Sequence, residues 1–165
     1  MSWLTNHQLE ELVERYGDDM TKDAFLGVFP IDLLPSEVKT YPILLIVNSQ
    51  TKNLGGKHWI ALFISSYGRG ELFDSSAQPV DLRINRWLNR FSTKRWTRNH
   101  YIYQSPFSPI CGAYVLYYVL NRLHHPSMKG LLLPKVLNYR HINDSFIREW
   151  YRKLFSSSSS SSSSH

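Results

Sequence analysis

At 165 residues the chain has room for one domain, able to bury about two-thirds of its unfolded surface without cross-links. Its single cysteine excludes an internal disulfide and a thiolate-rich zinc site, and the lack of an apolar run of about 18 residues excludes a spanning helix. With no basic-then-apolar leader pattern, a soluble intracellular chain is the expectation, and a net charge of +6 suits a partner bearing negative charge.

Thr5-Asn6-His7-Gln8 carries a capping box, and Leu9, Leu12, Val13 and Tyr16 follow on one helical face before Gly17. Residues 24–34, aromatic and broken by proline, read as a connection. After Pro42 the run Ile43-Leu44-Leu45-Ile46-Val47 has the unbroken apolar character of a strand buried on both faces. The polar residues 48–56 should form a loop that delivers His58 to a second strand, 59–64. Glu71-Leu72-Phe73-Asp74 then returns as its hairpin partner. A turn centred between Tyr67 and Gly68 would set Asp74 opposite Ala61, on the face away from His58, so only a bulge or looser turn lets those two side chains meet.

In residues 80–91, Ile84, Trp87, Leu88 and Phe91 fall at the spacing of a helix whose wet face carries Arg83, Arg86 and Arg90. Lys94, Arg95 and Arg98 extend this basic region, and residues 100–104 alternate enough to be a strand. Residues 113–123 form an apolar helix and residues 126–134 a loop. Asn143-Asp144-Ser145 then caps a last helix that turns Phe146, Ile147, Trp150, Tyr151 and Leu154 inward. Nine serines from 156 to 164 cannot bury apolar surface and read as a disordered tail or expression remnant, which leaves 1–155 as a single domain.

The chemistry concentrates in residues 104–112, from Gln104 to Gly112. Pro106 and Pro109 block regular structure ahead of Cys111, so the thiol should lie at or near the start of the apolar helix. There, unpaired N–H groups and the positive end of the helix dipole favour the nucleophilic thiolate. Gly112, lacking a side chain, is expected to leave the approach to the sulfur open. A cysteine nucleophile also needs a base, a group to orient that base, and donors for the oxyanion formed when a carbonyl is attacked. His58, Asp74 and Gln104, each at an element end, are the candidates, with the backbone N–H of Cys111 as a second donor. Each also has an ordinary reading. A lone cysteine serves as a small buried hydrophobe, any one of seven histidines is a weak signal, and Asp-Ser-Ser builds turns.

Gly55-Gly56-Lys57-His58-Trp59-Ile60-Ala61-Leu62-Phe63, then Glu71-Leu72-Phe73-Asp74, then Gln104 and Cys111-Gly112 resembles the adenovirus-type endopeptidases, the adenain-like cysteine proteases. Phe25-Leu26-Gly27 and Ile46-Val47-Asn48 look similar too, so the likeness runs from about residue 25 to about residue 123. The proteases that remove ubiquitin-like modifiers such as SUMO share the same His-Trp, Asp, Gln and Cys-Gly order. Gln104 precedes Cys111 by seven positions, which looks more like the adenain type, whereas Asp74 stands where adenains usually have Glu and the deconjugating enzymes Asp. The resemblance implies an α+β fold, with a small central mixed sheet flanked by helices in a circularly rearranged papain-like arrangement. It further implies His58 as base, Cys111 as nucleophile, Gln104 as oxyanion donor and Asp74 in the carboxylate position.

Both families cut at small, glycine-containing sequences held in a narrow groove, which implies Gly55 and Gly56 as one wall and Trp59 as a cover; an ordinary turn is the other reading of the glycine pair. Adenain-like enzymes are stimulated by a short viral peptide and by DNA. The disulfide that tethers the peptide in some members needs a second cysteine, which this chain lacks, so a peptide cofactor would bind noncovalently, as by addition to a strand edge. The sequence itself requires no cofactor or metal. Arg83, Arg86, Arg90, Lys94, Arg95 and Arg98, interleaved with Trp87 and Trp96, could track the phosphates of DNA, although arginines on the wet face of a helix are commonplace. The expectation is a monomeric viral protease that processes virion precursors in the host nucleus and virion. The alternatives are an isopeptidase acting on ubiquitin-like modifiers and a catalytically silent nucleic-acid-binding module.

Overall fold

The apolar run at 43–47 forms the second strand of a five-stranded sheet in a computed structural model, which describes residues 4–49, 58–106, 108–128 and 140–159, with side chains to residue 156. The strands are β1 (Phe25–Pro30), β2 (Ile43–Asn48), β3 (Trp59–Ile64), β4 (Arg69–Phe73) and β5 (Lys94–Arg98), and they lie side by side in chain order. The two outer pairings are parallel and the two inner ones antiparallel, so the sheet is mixed. Among the described residues, helices α1 (Asn6–Tyr16), α2 (Asp19–Ala24), α3 (Leu82–Phe91), α4 (Cys111–Asn121) and α5 (Arg140–Ser159) join the sheet in an α+β fold.

Alternation along the strands divides the buried residues into two cores. Ile43, Leu45 and Val47 of β2 join Ile60, Leu62 and Ile64 of β3, with Leu72, against Ile84, Trp87 and Leu88 of α3. On the opposite face Leu44, Ile46, Trp59, Ala61, Phe63 and Phe73 pack with Leu9 and Val13 of α1, Ala113 and Leu116 of α4, and Ile147 of α5. Residues 43–47 of β2 and the whole of β3 are apolar because both faces of these strands are covered.

The capping box of α1 forms as its sequence indicates: Gln8 N–H donates to Thr5 Oγ1 and Thr5 N–H to Gln8 Oε1. Residues 24–34 depart from a plain connection. They hold the end of α2, β1 and a 3-10 turn at Ile31–Leu33. Strand β1 is irregular, with Gly27 at φ 133° and a register shift between Phe25 and Val28, and Val28 N–H donates to Glu10 Oε1 of α1 at 3.1 Å. The strand expected at 100–104 falls instead at Lys94–Arg98, where β5 forms a sheet edge, and Lys and Arg are residues that an exposed edge favours.

The last helix begins at Arg140, so Asn143-Asp144-Ser145 lies within it rather than capping it, and Asp144 is buried. It continues to Ser159, past the expected boundary at 156, because a helix already nucleated adds residues at little cost; Ser156 Oγ donates to Lys153 O. The remaining serines and residues 129–134 of the expected loop lie outside the described residues.

A polar knot ties α4 to the sheet. Arg122, just past α4, places Nε 2.7 Å from Glu71 Oε1 and Nη2 3.1 Å from Glu71 Oε2, and Tyr118 donates its hydroxyl to the same carboxylate. The guanidinium also lies 4.4 Å from the centre of the Phe63 ring. All three polar residues are buried, so the charges compensate one another rather than meeting water.

Candidate active site

The β3–β4 turn decides whether His58 and Asp74 can meet. Ser65 to Arg69 closes as a three-residue loop: Gly68 N–H donates to Ser65 O, Ser65 N–H donates to Arg69 O, and Gly68 takes φ 81°. This left-handed glycine is the bulge form of hairpin and moves the register by one residue. Ala61 pairs with Phe73 instead of Asp74, and Leu62 with Leu72. Continued by one step, that register sets Asp74 across from Ile60 and on the face of His58. His58 Nε2 then lies 2.8 Å from Asp74 Oδ1.

Both partners are tied down from behind. Ser49 N–H donates to His58 O at 2.9 Å and extends the β2–β3 ladder to the histidine. Asp74 is buried, and its carboxylate accepts the backbone N–H groups of Ser76 and Gln78 at 2.9 and 3.0 Å in an Asx turn. Its backbone is gripped by Asn99, which accepts from Asp74 N–H at 2.9 Å and donates Nδ2 to Asp74 O at 2.6 Å and to Tyr101 O at 3.1 Å.

Cys111 is the first residue of α4, with Ile110 as N-cap. The bend at Pro109 and the apolar run that follows produce this placement, so the sulfur sits at the positive end of the helix. Cys111 joins Asp74 in favouring the protonated form of His58. Burial alone would drive the proton off this imidazole. The hydrogen bonds to Asp74 and Cys111, with their charges, overcome that effect and raise the His58 pKa to about 10. With Nε2 engaged by Asp74, Nδ1 is left for the sulfur. An imidazolium that persists through neutral pH offers a fixed positive charge to a thiolate.

Gln104 is buried at the entry to the cysteine loop. Its Oε1 accepts from Ser75 Oγ at 2.7 Å, and its Nε2 donates to Ser108 O. The loop is held from α5 as well: Asp144 accepts from Tyr114 Oη at 2.8 Å and from Ser105 N–H at 3.3 Å, and Asn143 Nδ2 donates to Tyr103 O.

The remaining site candidates divide. Gly55 and Gly56 lie outside the described residues. Trp59 is no groove cover, because it begins β3 and its side chain is wholly buried in the core beneath α4. Gly112 does not face an open approach either. A Cβ there would come within 3.1 Å of Leu4 Cδ1 and 3.2 Å of Leu4 Cβ, so the glycine admits the segment before α1 against the start of α4. Of the basic residues, Arg83 is held by Asp81 through two contacts of 3.0 Å, and Arg98 is half-buried, donating to Asn99 O and Gln78 O. Arg86, Arg90, Lys94 and Arg95 are exposed, the first two on α3 and the last two on β5. The sequence assigns no site role to Ser75, Asn99 or Asp144, the last of which it reads as part of a helix cap. Only the burial of polar side chains marks them, and Ser, Asn and Asp are too common in turns to declare it.

The sheet and its flanking helices have a counterpart among solved structures. The chain shares the fold of a viral protease. Two crystal structures of the ASFV pS273R protease, one of them the selenomethionine form, match with TM-scores of 0.60 and 0.59 at 18% identity over 84% of this chain. The fold is papain-like. This chain spans about 65% of the length of that protease. The central domain of the uncharacterized Lpg1148 protein from Legionella pneumophila matches with a TM-score of 0.48 at 14% identity, over 94% of this chain and 99% of that domain. No protein-family profile and no curated protein sequence matches the chain.

Proposed function

We propose that the chain is a cysteine endopeptidase of the adenain-like type that cleaves polypeptides at small, glycine-containing sites, acting as a viral protease on virion precursor proteins. The observation that carries this reading is His58, which lies 2.8 Å from the Asp74 carboxylate and is kept protonated by it together with Cys111, the first residue of a helix. Similarity in fold to the ASFV pS273R protease supports it.

In this mechanism the Cys111 thiolate attacks the scissile carbonyl carbon. An S–C bond forms, and the carbonyl electron pair moves onto oxygen. The Gln104 amide and the backbone N–H of Cys111 donate to that oxyanion. Collapse of the tetrahedral species breaks the C–N bond as His58 gives its proton to the departing amine. Water, deprotonated by His58, then cleaves the thioester and releases the carboxylic acid and the free thiol. Asp74 holds the imidazole in place and stabilises its charge throughout.

Turnover of a Leu-x-Gly-Gly peptide tests the reading: it should be abolished in Cys111→Ala and His58→Ala, whose folds persist. Thiol-independent cleavage, or none by the wild-type chain, would overturn it. A second reading, an isopeptidase for ubiquitin-like modifiers, is favoured by the aspartate at position 74. Efficient capture of Cys111 by ubiquitin or SUMO bearing a C-terminal electrophile, without peptide cleavage, would select it.

The exposed cations Arg86, Arg90, Lys94 and Arg95 support DNA as a polyanionic activator, and a noncovalent activating peptide fits a chain with one cysteine. Charge reversal at Arg86, Arg90 and Arg95 should abolish DNA binding at low salt, and unchanged binding would remove DNA from the account.

A further inference from the structure

We infer that Ser75 is a positioning residue for the oxyanion donor: its buried hydroxyl fixes the carboxamide of Gln104 so that the NH₂ end, rather than the oxygen, is presented beside Cys111. This rests on the protease reading and adds to it a connection between the acid turn and the oxyanion hole.

A carboxamide has two ends of nearly equal size and opposite polarity, and only one of them stabilises a negative oxygen. If the amide turned over, its oxygen would face the developing charge and repel it. Here both ends are specified. Ser108 O is a backbone carbonyl, which can only accept, so the end that contacts it must be Nε2. At the other end Oε1 accepts from Ser75 Oγ at 2.7 Å, and Ser75 is completely buried, so no water can stand in for its hydroxyl. One proton of Nε2 goes to Ser108 O and the other stays available for an oxyanion.

Ser75 also adjoins Asp74, so one turn orients the base through its carboxylate and the oxyanion donor through its hydroxyl. The backbone reinforces this link, since Ser75 O accepts from Tyr103 N–H at 2.8 Å and from Gln104 N–H at 3.1 Å. Those two bonds do not involve the hydroxyl and survive its removal. Ser75→Ala should therefore keep the loop in place and free only the amide.

Peptide turnover and alkylation of Cys111 by iodoacetamide, measured on the same variants, separate this role from a structural one. Alkylation displaces iodide from a saturated carbon and forms no oxyanion, so it reads the thiolate and His58 alone. Ser75→Ala is expected to lower kcat about tenfold with KM little changed, as a transition-state interaction requires, while the alkylation rate stays at the wild-type value. If Ser75 acts through Gln104, the Ser75→Ala/Gln104→Ala double variant should be no slower than Gln104→Ala alone. Wild-type turnover by Ser75→Ala, a parallel fall in alkylation, or a double variant slower by the product of the two single effects would each overturn the assignment. Absence of Cys111-dependent turnover in the wild-type chain would instead defeat the protease reading, and this proposal with it.

Discussion

Ala61 lies opposite Phe73, and this pairing carries the Asp74 side chain to the His58 side of the sheet. It depends on Gly68, which supplies the left-handed residue of the turn at φ 81°; a Cβ there would also fall 1.8 Å from Thr93 Oγ1. Gly68→Ala meets both obstacles. It should cost about 2 kcal/mol of stability, read from the urea midpoint, since the left-handed backbone alone costs about 1–2 kcal/mol. An unchanged midpoint would show that the turn does not hold the register.

The protonated His58 has consequences for pH. Its folded-state pKa, about 10, lies above the ordinary value of 6.5, so the folded protein binds the proton more tightly than the unfolded chain. The resulting stabilisation is complete below about pH 6.5 and is lost as pH rises toward 10. In Asp74→Asn the strongest of the interactions raising that pKa is weakened, so the loss should be smaller and end at a lower pH, and the alkaline limb of kcat/KM should move down with it. A pH–rate profile for Asp74→Asn that superposes on the wild type would contradict the role given to the carboxylate.

Asn99 holds the Asp74 backbone by both its N–H and its carbonyl from a buried position. Asn99→Ala strands the Asp74 N–H away from water, whereas Asp74 O keeps the Ala77 N–H at 2.9 Å, and a buried orphan costs about 1–3 kcal/mol. Thermal unfolding should show a loss of about 1–3 kcal/mol, with slower peptide turnover because Asp74 is no longer fixed. A variant as stable as the wild type would mean that the turn supports itself.

Arg122→Ala leaves the buried Glu71 carboxylate without its cation. Removing one member of a buried pair typically costs about 3–5 kcal/mol, and Arg122 also covers the Phe63 ring. Denaturant unfolding of Arg122→Ala and of the Arg122→Met/Glu71→Leu double variant should show the single change as the more damaging. The reverse order would mean that the ion pair is not what secures this end of α4.

What the sequence made legible follows burial. The segments α1, β2, β3, α3 and α4 announce themselves because each has a full apolar face or two, and Pro109 marks where α4 begins. Strands β1 and β5 were hidden for the opposite reason. Edge strands need no unbroken apolar run, and these two carry a bent glycine and four cations or polar residues, respectively, in place of one. The meeting of His58 with Asp74 depended on one residue of register, which a hairpin sequence leaves open until its turn is known. Ser75 and Asn99 act through hydrogen bonds across distant segments, and nothing in their local sequence distinguishes them from ordinary loop residues.

The division of the interior into two apolar layers separates strength from reactivity. His58 and Asp74 are delivered by the sheet, whereas Cys111 rides on a helix that packs against only one side of it, through Ala61, Phe63, Ala113 and Leu116. Truncations beneath α3, such as Ile84→Ala, weaken the molecule as a whole without altering the gap between sulfur and ring. Enlarging Ala113, by contrast, should lift Cys111 from His58, so equal losses of stability on the two sides of the sheet should leave very unequal thiol reactivity.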